Sequence, residues 1–244
     1  MNIAVIFAGG AGTRMNSRAV PKQFLEMHGK PIIIHTIEKF EYHPEIDVIV
    51  VACIKSGISY LERLIKQYNL KKVKVIVPGG ESGQQSIYNG LCAAESISCK
   101  EKSIVLIHDG VRPLINSELI TRNILSVKKN GSAITCVKVK ETILMVNVDN
   151  ERQIDNIPER ENTRLARAPQ SFWLDEILDA HRKAIVDKNN NFIDSCSLMQ
   201  HYGKKMFLIE GPQENIKITT PDDFYIMRAL LDAREDLQIY GLEE

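Results

Sequence analysis

Short, almost uninterrupted apolar runs alternate along the chain with longer segments in which apolar residues recur every three or four positions. An uninterrupted run is typical of a strand buried on both faces, and the longer period is typical of an amphipathic helix. The runs predict strands at residues 2–8, 47–54, 73–77, 103–107 and 133–139. Helices are predicted between them, at residues 31–43, 56–69, 82–96 and 116–129. This alternation predicts an α/β fold, a Rossmann-like and mainly parallel sheet with helices on both faces.

The pattern changes after residue 139, where two alternating segments flank the polar pair Asp149-Asn150. Residues 142–148 and 152–157 predict a β-hairpin that protrudes as an arm spanning about residues 140–162. Such an arm is either a surface flap or a clasp between two copies of the chain. Further helices are predicted at 174–186 and 195–201, and late strands at 206–209 and 216–219. The sequence Thr220-Pro221-Asp222-Asp223 is typical of a helix start, and residues 1–244 are interpreted as one domain with an arm.

Composition narrows the function classes that the fold could serve. Lys and Arg number 31 and Asp and Glu number 31, so no overall field attracts nucleic acid or an anionic membrane. The longest apolar run has seven residues, too few for a membrane span, and no secretory signal is evident at the N-terminus. The cysteines are widely spaced and form no Cys-x-x-Cys pair, which favours a reducing compartment over a disulfide or zinc framework. We therefore expect a cytoplasmic protein without nucleic-acid or membrane partners.

Glycine-rich loops follow two of the predicted strands, at the edge where open parallel sheets bind ligands. The first contains Gly9, Gly10 and Gly12 and continues through the cations Arg14 and Lys22. Glycines let backbone N–H groups approach phosphate oxygens, although a plain tight turn has the same composition. The loop matches neither a Walker A motif nor a complete dinucleotide fingerprint. The second, residues 78–86, would suit a flat base or would simply cap a helix at Glu81 or Ser82.

A carboxylate follows a third predicted strand in the sequence His108-Asp109-Gly110. Asp109 at the end of a central strand, facing a phosphate loop, is well placed to hold Mg²⁺, although turn acids are also common there. His108 is better interpreted as a structural residue, since a lone histidine at a strand end is seldom catalytic.

These motifs together resemble one family. AGGAGTRM, PKQF, PGGESGQQS, HDGVRP, RAPQSF and ENIKITTPDDF, in that order between about residues 3 and 229, resemble the methylerythritol-phosphate and ribitol-phosphate cytidylyltransferases. The resemblance implies transfer of CMP from CTP to the phosphate of a small polyol, with Mg²⁺ and release of pyrophosphate. It also implies a homodimer in which the arm of one subunit reaches the acceptor site of the other.

The resemblance assigns roles to individual residues of this chain. The residues implied to be catalytic, through contacts with the triphosphate, are Arg14, Lys22 and Lys217. Those implied to bind the nucleotide are Ala8, Gly9, Gly10, Gly12, Gly79, Gly80, Ser86 and Asp109, with Asp109 also holding the metal. Those implied to bind the acceptor are Arg112, Thr142 and Arg160.

Two departures from the methylerythritol-phosphate pattern bear on the acceptor. Ala168 precedes Pro-Gln and Ile193 precedes Asp194, where those enzymes have threonines, and Arg164 and Arg167 are nearby cations that could replace the lost hydroxyls. We therefore favour ribitol 5-phosphate, for a wall or capsule precursor, over methylerythritol phosphate in isoprenoid synthesis. A non-catalytic nucleotide-binding protein is the alternative from a different class, and a dinucleotide-dependent oxidoreductase ranks below it.

Overall fold

The computed structural model describes residues 1–10, 20–98, 102–189 and 191–240. Its strands are β1 (Asn2–Ala8), β2 (Glu26–Met27), β3 (Lys30–Pro31), β4 (Val48–Cys53), β5 (Val73–Pro78), β6 (Ile104–Asp109), β7 (Ser132–Lys138), β8 (Met145–Val146), β9 (Ile154–Asn156), β10 (Arg164–Trp173) and β11 (Leu208–Glu210). Seven of them form a sheet in the order β11-β7-β10-β6-β1-β4-β5. All of its neighbouring strands are parallel except β10, which is antiparallel to both β6 and β7.

Helices cover both faces of this sheet, as the alternation predicts. They are α1 (Ile32–Glu41), α2 (Ile58–Gln67), α3 (Gly83–Ile97), α4 (Ser117–Asn130), α5 (Leu174–Val186), α6 (Ser195–His201) and α7 (Pro221–Tyr240). Successive residues of β1 point to opposite faces: Ile6 packs in a core with α1, α2 and α4, whereas Val5 packs in a second core with α3, α5 and α6. The predicted α/β architecture is confirmed. Within the described ranges, no helix is both long enough and apolar enough to cross a membrane.

Two local predictions differ from the structure. Strand β10 was not predicted, because its first half is exposed and carries Arg164 and Arg167 rather than an apolar run. The predicted strand at 216–219 is wrong. That segment contains no strand, although the Ile218 N–H donates to the Val111 carbonyl over 3.0 Å and Ile218 is fully buried. The alternating apolar residues Ile216 and Ile218 therefore resemble a strand in sequence, while the backbone of Ile218 bonds to the loop after β6.

The predicted hairpin is confirmed, although its paired strands are shorter than expected. β8 and β9 pair antiparallel, and the side chain of Asn147 accepts the N–H groups of Asp149 and Asn150 at the turn. The hairpin lies between β7 and β10, whose pairing begins at Lys138 and Arg164. Its large exposed apolar side chains are those of Leu144, Met145, Val146, Val148, Ile154 and Ile157.

Candidate functional site

A cleft of about 500 Å³ opens at the carboxyl ends of β1 and β6, the edge where the sequence predicts ligand binding. The loop after β5 and the segment before α7 complete its walls. The predicted site residues that line it are Ala8, Gly9, Gly10, Lys22, Gly80, Ser86, Asp109 and Lys217. Residues far apart in sequence therefore converge on one cavity.

One wall of the cleft is formed by two glycine loops in direct contact. A Cβ atom added at Gly79 would lie 2.7 Å from the Gly9 Cα, and one added at Gly9 would lie 2.5 Å from the Ser86 Oγ. Ser86 is buried, its hydroxyl donates to the Ser82 carbonyl over 2.9 Å, and it accepts the Gly80 N–H over 3.0 Å. Only glycine permits this approach, and the result is a wall of backbone atoms with almost no side chains.

The helix-cap interpretation of the second loop is also correct. Ser82 precedes α3, and its hydroxyl accepts the N–H of Gln85 over 3.1 Å. The cap fixes the first turn of α3 beside the cleft, so the same loop caps the helix and lines the cleft.

Asp109 lies at the centre of an ionic cluster. Its Oδ1 is 2.5 Å from the Lys217 Nζ, and its Oδ2 accepts the Arg112 Nε–H over 3.2 Å. Burial alone would raise the pKa of Asp109, but the charges of Arg112 and Lys217 outweigh it and lower the pKa to about 2. Asp109 is therefore ionised at neutral pH and fixes the direction of both cations.

The two lysines approach the cleft from opposite segments of the chain. The Lys22 ammonium donates to the Ile218 carbonyl over 2.9 Å, next in sequence to Lys217. The Lys217 ammonium lies 5.7 Å from the centre of the Phe7 ring and is partly exposed to the cleft. Asp223 steadies this region at the start of α7, because its carboxylate accepts the N–H groups of Thr219 and Thr220 over 2.8 and 2.7 Å.

The fold and the motifs can now be compared with known proteins. The family model for 2-C-methyl-D-erythritol 4-phosphate cytidylyltransferase, IspD, matches residues 2–233. The chain belongs to this family. It is 53% identical over 242 residues to a ribitol-5-phosphate cytidylyltransferase of Streptococcus agalactiae serotype III (strain NEM316), covering 99% of this chain and 100% of that one.

Relatives with the other acceptor in their names are more distant. A 2-C-methyl-D-erythritol 4-phosphate cytidylyltransferase of Clostridium botulinum (strain Langeland) is 39% identical over 231 residues, covering 95% of this chain and 97% of that one. The solved structure of the 4-diphosphocytidyl-2C-methyl-D-erythritol synthase from Anaerococcus prevotii superposes with a TM-score of 0.80 at 26% identity, covering 95% and 96% of the two chains. The predicted resemblance to the cytidylyltransferase family is confirmed.

The remaining predicted site residues of this IspD-family chain lie elsewhere. Arg112 is buried behind Asp109, where its Nη1 also donates to the Asn215 carbonyl over 2.6 Å. Thr142 and Arg160 are exposed at the two ends of the arm, outside the cleft of their own chain, and the Arg160 Nη1 donates to the Lys140 carbonyl over 3.3 Å. Gly12 and Arg14 fall outside the described residues. The roles of all of these residues remain predictions.

His108 has the structural role favoured by the sequence. It is fully buried, its Nε2 lies 2.9 Å from the Arg112 carbonyl, and its ring packs edge-on against Phe40. Burial lowers the pKa of His108 to about 4, so the imidazole is neutral at pH 7. A neutral ring that donates Nε2–H to this carbonyl supports the turn carrying Arg112.

Two polar residues that position the site escaped sequence reasoning. Gln23 is almost fully buried, and its Nε2 donates to the Ala8 carbonyl over 2.8 Å at the end of β1. Asn215 is fully buried, and its Nδ2 donates to the Ala168 carbonyl over 2.7 Å. Both lie inside the motifs PKQF and ENIKIT, but only the fold reveals which carbonyl each one binds.

Proposed function

We propose that the chain transfers CMP from CTP to the phosphate of ribitol 5-phosphate, forming CDP-ribitol and releasing pyrophosphate. The observation that carries the reaction type is the convergence of Lys22, Lys217 and Asp109 beside a wall of glycine backbone in one cleft. The 53% identity to a relative named for ribitol 5-phosphate supports this acceptor over methylerythritol phosphate, whose named relative is 39% identical.

The cleft suits a pyrimidine nucleotide triphosphate. The contact between Gly9 and Gly79 leaves a flat backbone surface against which the cytosine and ribose would lie, with Ala8, Gly10, Gly80 and Ser86 completing the pocket. The triphosphate would then extend towards Lys22 and Lys217, and towards Arg14 in the first loop. Cations in these positions would stabilise charge that develops on the α-phosphate and on the leaving pyrophosphate.

The reaction needs no proton acceptor on the protein. The nucleophile is an oxygen of a phosphate monoester, which carries about −1.5 to −2 charge at pH 7 and is already ionised. Asp109 would be a poor base because its pKa is lowered to about 2. Its role under this proposal is to orient Lys217 and Arg112, so that catalysis depends on positioning and charge stabilisation.

Magnesium fits the site only in partnership with the nucleotide. In the described part of the chain, no three His, Cys, Asp or Glu residues are grouped as a metal site. Mg²⁺ is commonly bound through one or two carboxylates together with substrate phosphates, and the ionised Asp109 supplies one such carboxylate. When bound with CTP, Mg²⁺ would neutralise phosphate charge, and Asp109 would hold it there.

The acceptor side of the site is proposed to be completed by a second subunit. Thr142 and Arg160 lie on an exposed arm with several exposed apolar side chains, which supports a clasp between two copies. The arm of the partner subunit would bring these residues to the acceptor, opposite Arg112. The requirement for CTP and the free thiols of Cys53, Cys92, Cys136 and Cys196 support a cytoplasmic location.

An acceptor panel with CTP and Mg²⁺ tests the proposal directly. Pyrophosphate release should be fastest with ribitol 5-phosphate and much slower with methylerythritol 4-phosphate and glycerol 3-phosphate. A preference for methylerythritol 4-phosphate would assign the chain to isoprenoid synthesis instead. Calorimetric CTP binding without turnover on any acceptor would identify a non-catalytic nucleotide-binding protein.

A further inference from the structure

Arg167 lies at the same edge of the sheet as the catalytic cluster. In the β10–β6 pairing Gln170 is opposite Ile107, two residues before Asp109, and Arg167 precedes Gln170 by three residues. Asn215 links β10 to the turn after β6. Its side-chain Nδ2 donates to the Ala168 carbonyl, and its backbone carbonyl accepts a hydrogen bond from the Arg112 Nη1. The register of the pairing shifts between Ala166 and Gln170, and Arg167 lies within that irregularity.

The guanidinium of the half-buried Arg167 lacks the partners that a cation in such a position normally has. Its Nε is buried without a hydrogen-bond partner, and no carboxylate pairs with it in the part of the chain that the structure describes. Its neighbour on the strand, Arg164, instead donates to the carbonyls of Glu161 and Thr163. Burial lowers the pKa of Arg167, and the charge of Arg112 lowers it further, so the two guanidinium groups repel each other. A partly buried cation without a partner is costly, and groups perturbed in this way cluster at functional sites.

The charges at this edge do not balance among the described residues. Asp109 is the carboxylate that pairs with Arg112 and Lys217, and Arg167 adds a third positive charge close to Arg112. The charge of Arg167 is therefore uncompensated and would suit a phosphate monoester. Guanidinium forks are suited to phosphate oxygens, and Arg112 already uses its Nε and Nη1 within the protein. Arg167 is therefore the arginine of this pair that is not committed to protein contacts.

We propose that Arg167 binds the phosphate of the acceptor and determines the specificity of the site for a phosphate monoester. This inference rests on the proposed function and assigns a residue to its acceptor subsite. The following residue, Ala168, is buried and offers no hydroxyl, so recognition at this position depends on the charge and fork of Arg167. The bound guanidinium would also keep the acceptor phosphate fully ionised for attack.

The test compares Arg167→Gln and Arg167→Lys with the control Arg122→Gln, which removes a partly exposed guanidinium that is paired with Glu118 on α4 and lies outside the cleft lining. With CTP and Mg²⁺, Arg167→Gln should raise the KM for ribitol 5-phosphate about 10- to 100-fold and leave the KM for CTP within about twofold. Arg167→Lys should be intermediate, because it keeps the charge and loses the fork. The Arg122 control should leave both constants near those of the wild type.

Thermal melting of the ligand-free proteins separates binding from a structural role. Removing a half-buried charge without a partner should leave the melting temperature of Arg167→Gln unchanged or higher, whereas a structural arginine would lower it. An unchanged acceptor KM, or a fall in melting temperature with equal losses for both substrates, would overturn the assignment even if the wild type forms CDP-ribitol.

A second measurement tests phosphate binding by Arg167 without catalytic turnover. Inorganic phosphate is titrated calorimetrically into each variant saturated with a non-hydrolysable CTP analogue. The wild type should bind phosphate at least about tenfold more tightly than Arg167→Gln. If the wild type fails to turn over ribitol 5-phosphate but retains this difference, the proposed function is wrong and the phosphate site stands. If Arg167→Gln binds phosphate as tightly as the wild type, the assignment of Arg167 is wrong.

Discussion

The contact between Gly9 and Gly79 makes a sharp prediction for a single added methyl group. In Gly79→Ala the new Cβ would lie 2.7 Å from the Gly9 Cα, 3.1 Å from the Ser86 Oγ and 3.4 Å from the Cys53 carbonyl oxygen. Ordinary van der Waals contact begins near 3.4 Å, so the two loops must separate by several tenths of an ångström. Ser86 cannot easily yield, because its hydroxyl bonds to Ser82 and Gly80.

The expected consequences are a loss of stability and a larger loss of activity. Overpacking of this kind costs about 1–3 kcal/mol, or about 3–10 °C in melting temperature for a domain of this size. Displacing the nucleotide wall should also lower kcat/KM for CTP roughly 10- to 100-fold. Calorimetric melting and pyrophosphate-release kinetics measure the two effects in the same preparation.

Gly10→Ala is the matched control. A Cβ added at Gly10 meets no described atom within 4 Å, so its melting temperature should equal that of the wild type. If Gly79→Ala melts like this control and turns over CTP like the wild type, the close packing of the two loops does not shape the nucleotide site.

Three further predictions concern the cations, the arm and the carboxylate. Lys22→Ala should lower kcat roughly 100-fold while calorimetry shows a less than about threefold change in the Kd for CTP, and equal losses would mean that Lys22 serves ground-state binding. An equal mixture of Lys22→Ala and Arg160→Ala subunits should recover about one quarter of wild-type activity, because half of the dimers are mixed and one site in each is intact. Recovery of no activity on mixing would show that each arm serves its own subunit. The pKa of Asp109 is lowered to about 2 from about 3.9 in the unfolded chain, so its stabilisation is complete above about pH 4 and is lost as pH falls towards 2. Urea unfolding of the wild type and Asp109→Asn should therefore converge over this range, and a gap that stays constant would contradict the ionic cluster.

The strands and helices that could be predicted are those whose buried apolar residues follow a regular pattern along the sequence. β1 and β4 are apolar on both faces, so their runs stand out, and their parallel order follows from the helices between them. β10 was missed because only its second half is buried, while its first half carries arginines to the edge of the sheet. These arginines therefore make the strand hard to recognise from the sequence, and they are also candidate site residues.

The sequence predicts which residues form the candidate site, but it does not predict the contacts that they make. The motifs indicate that Asp109 and Lys217 are site residues, but nothing in the spacing of the motifs indicates that the carboxylate and the ammonium lie 2.5 Å apart. The motif around Arg112 likewise does not indicate that two of its nitrogens donate to Asp109 and Asn215. Side-chain direction at a strand end depends on long-range packing, which a local pattern does not encode.

The way the arm joins the sheet makes the length of the arm independent of the order of the strands. β7 and β10 are neighbours, and their pairing begins at Lys138 and Arg164, so the arm enters and leaves between two adjacent, hydrogen-bonded strands. A connection between such strands needs only a few residues, since antiparallel neighbours can be joined by a tight turn. The arm can therefore lengthen, shorten or change its surface without altering the sheet order around Asp109.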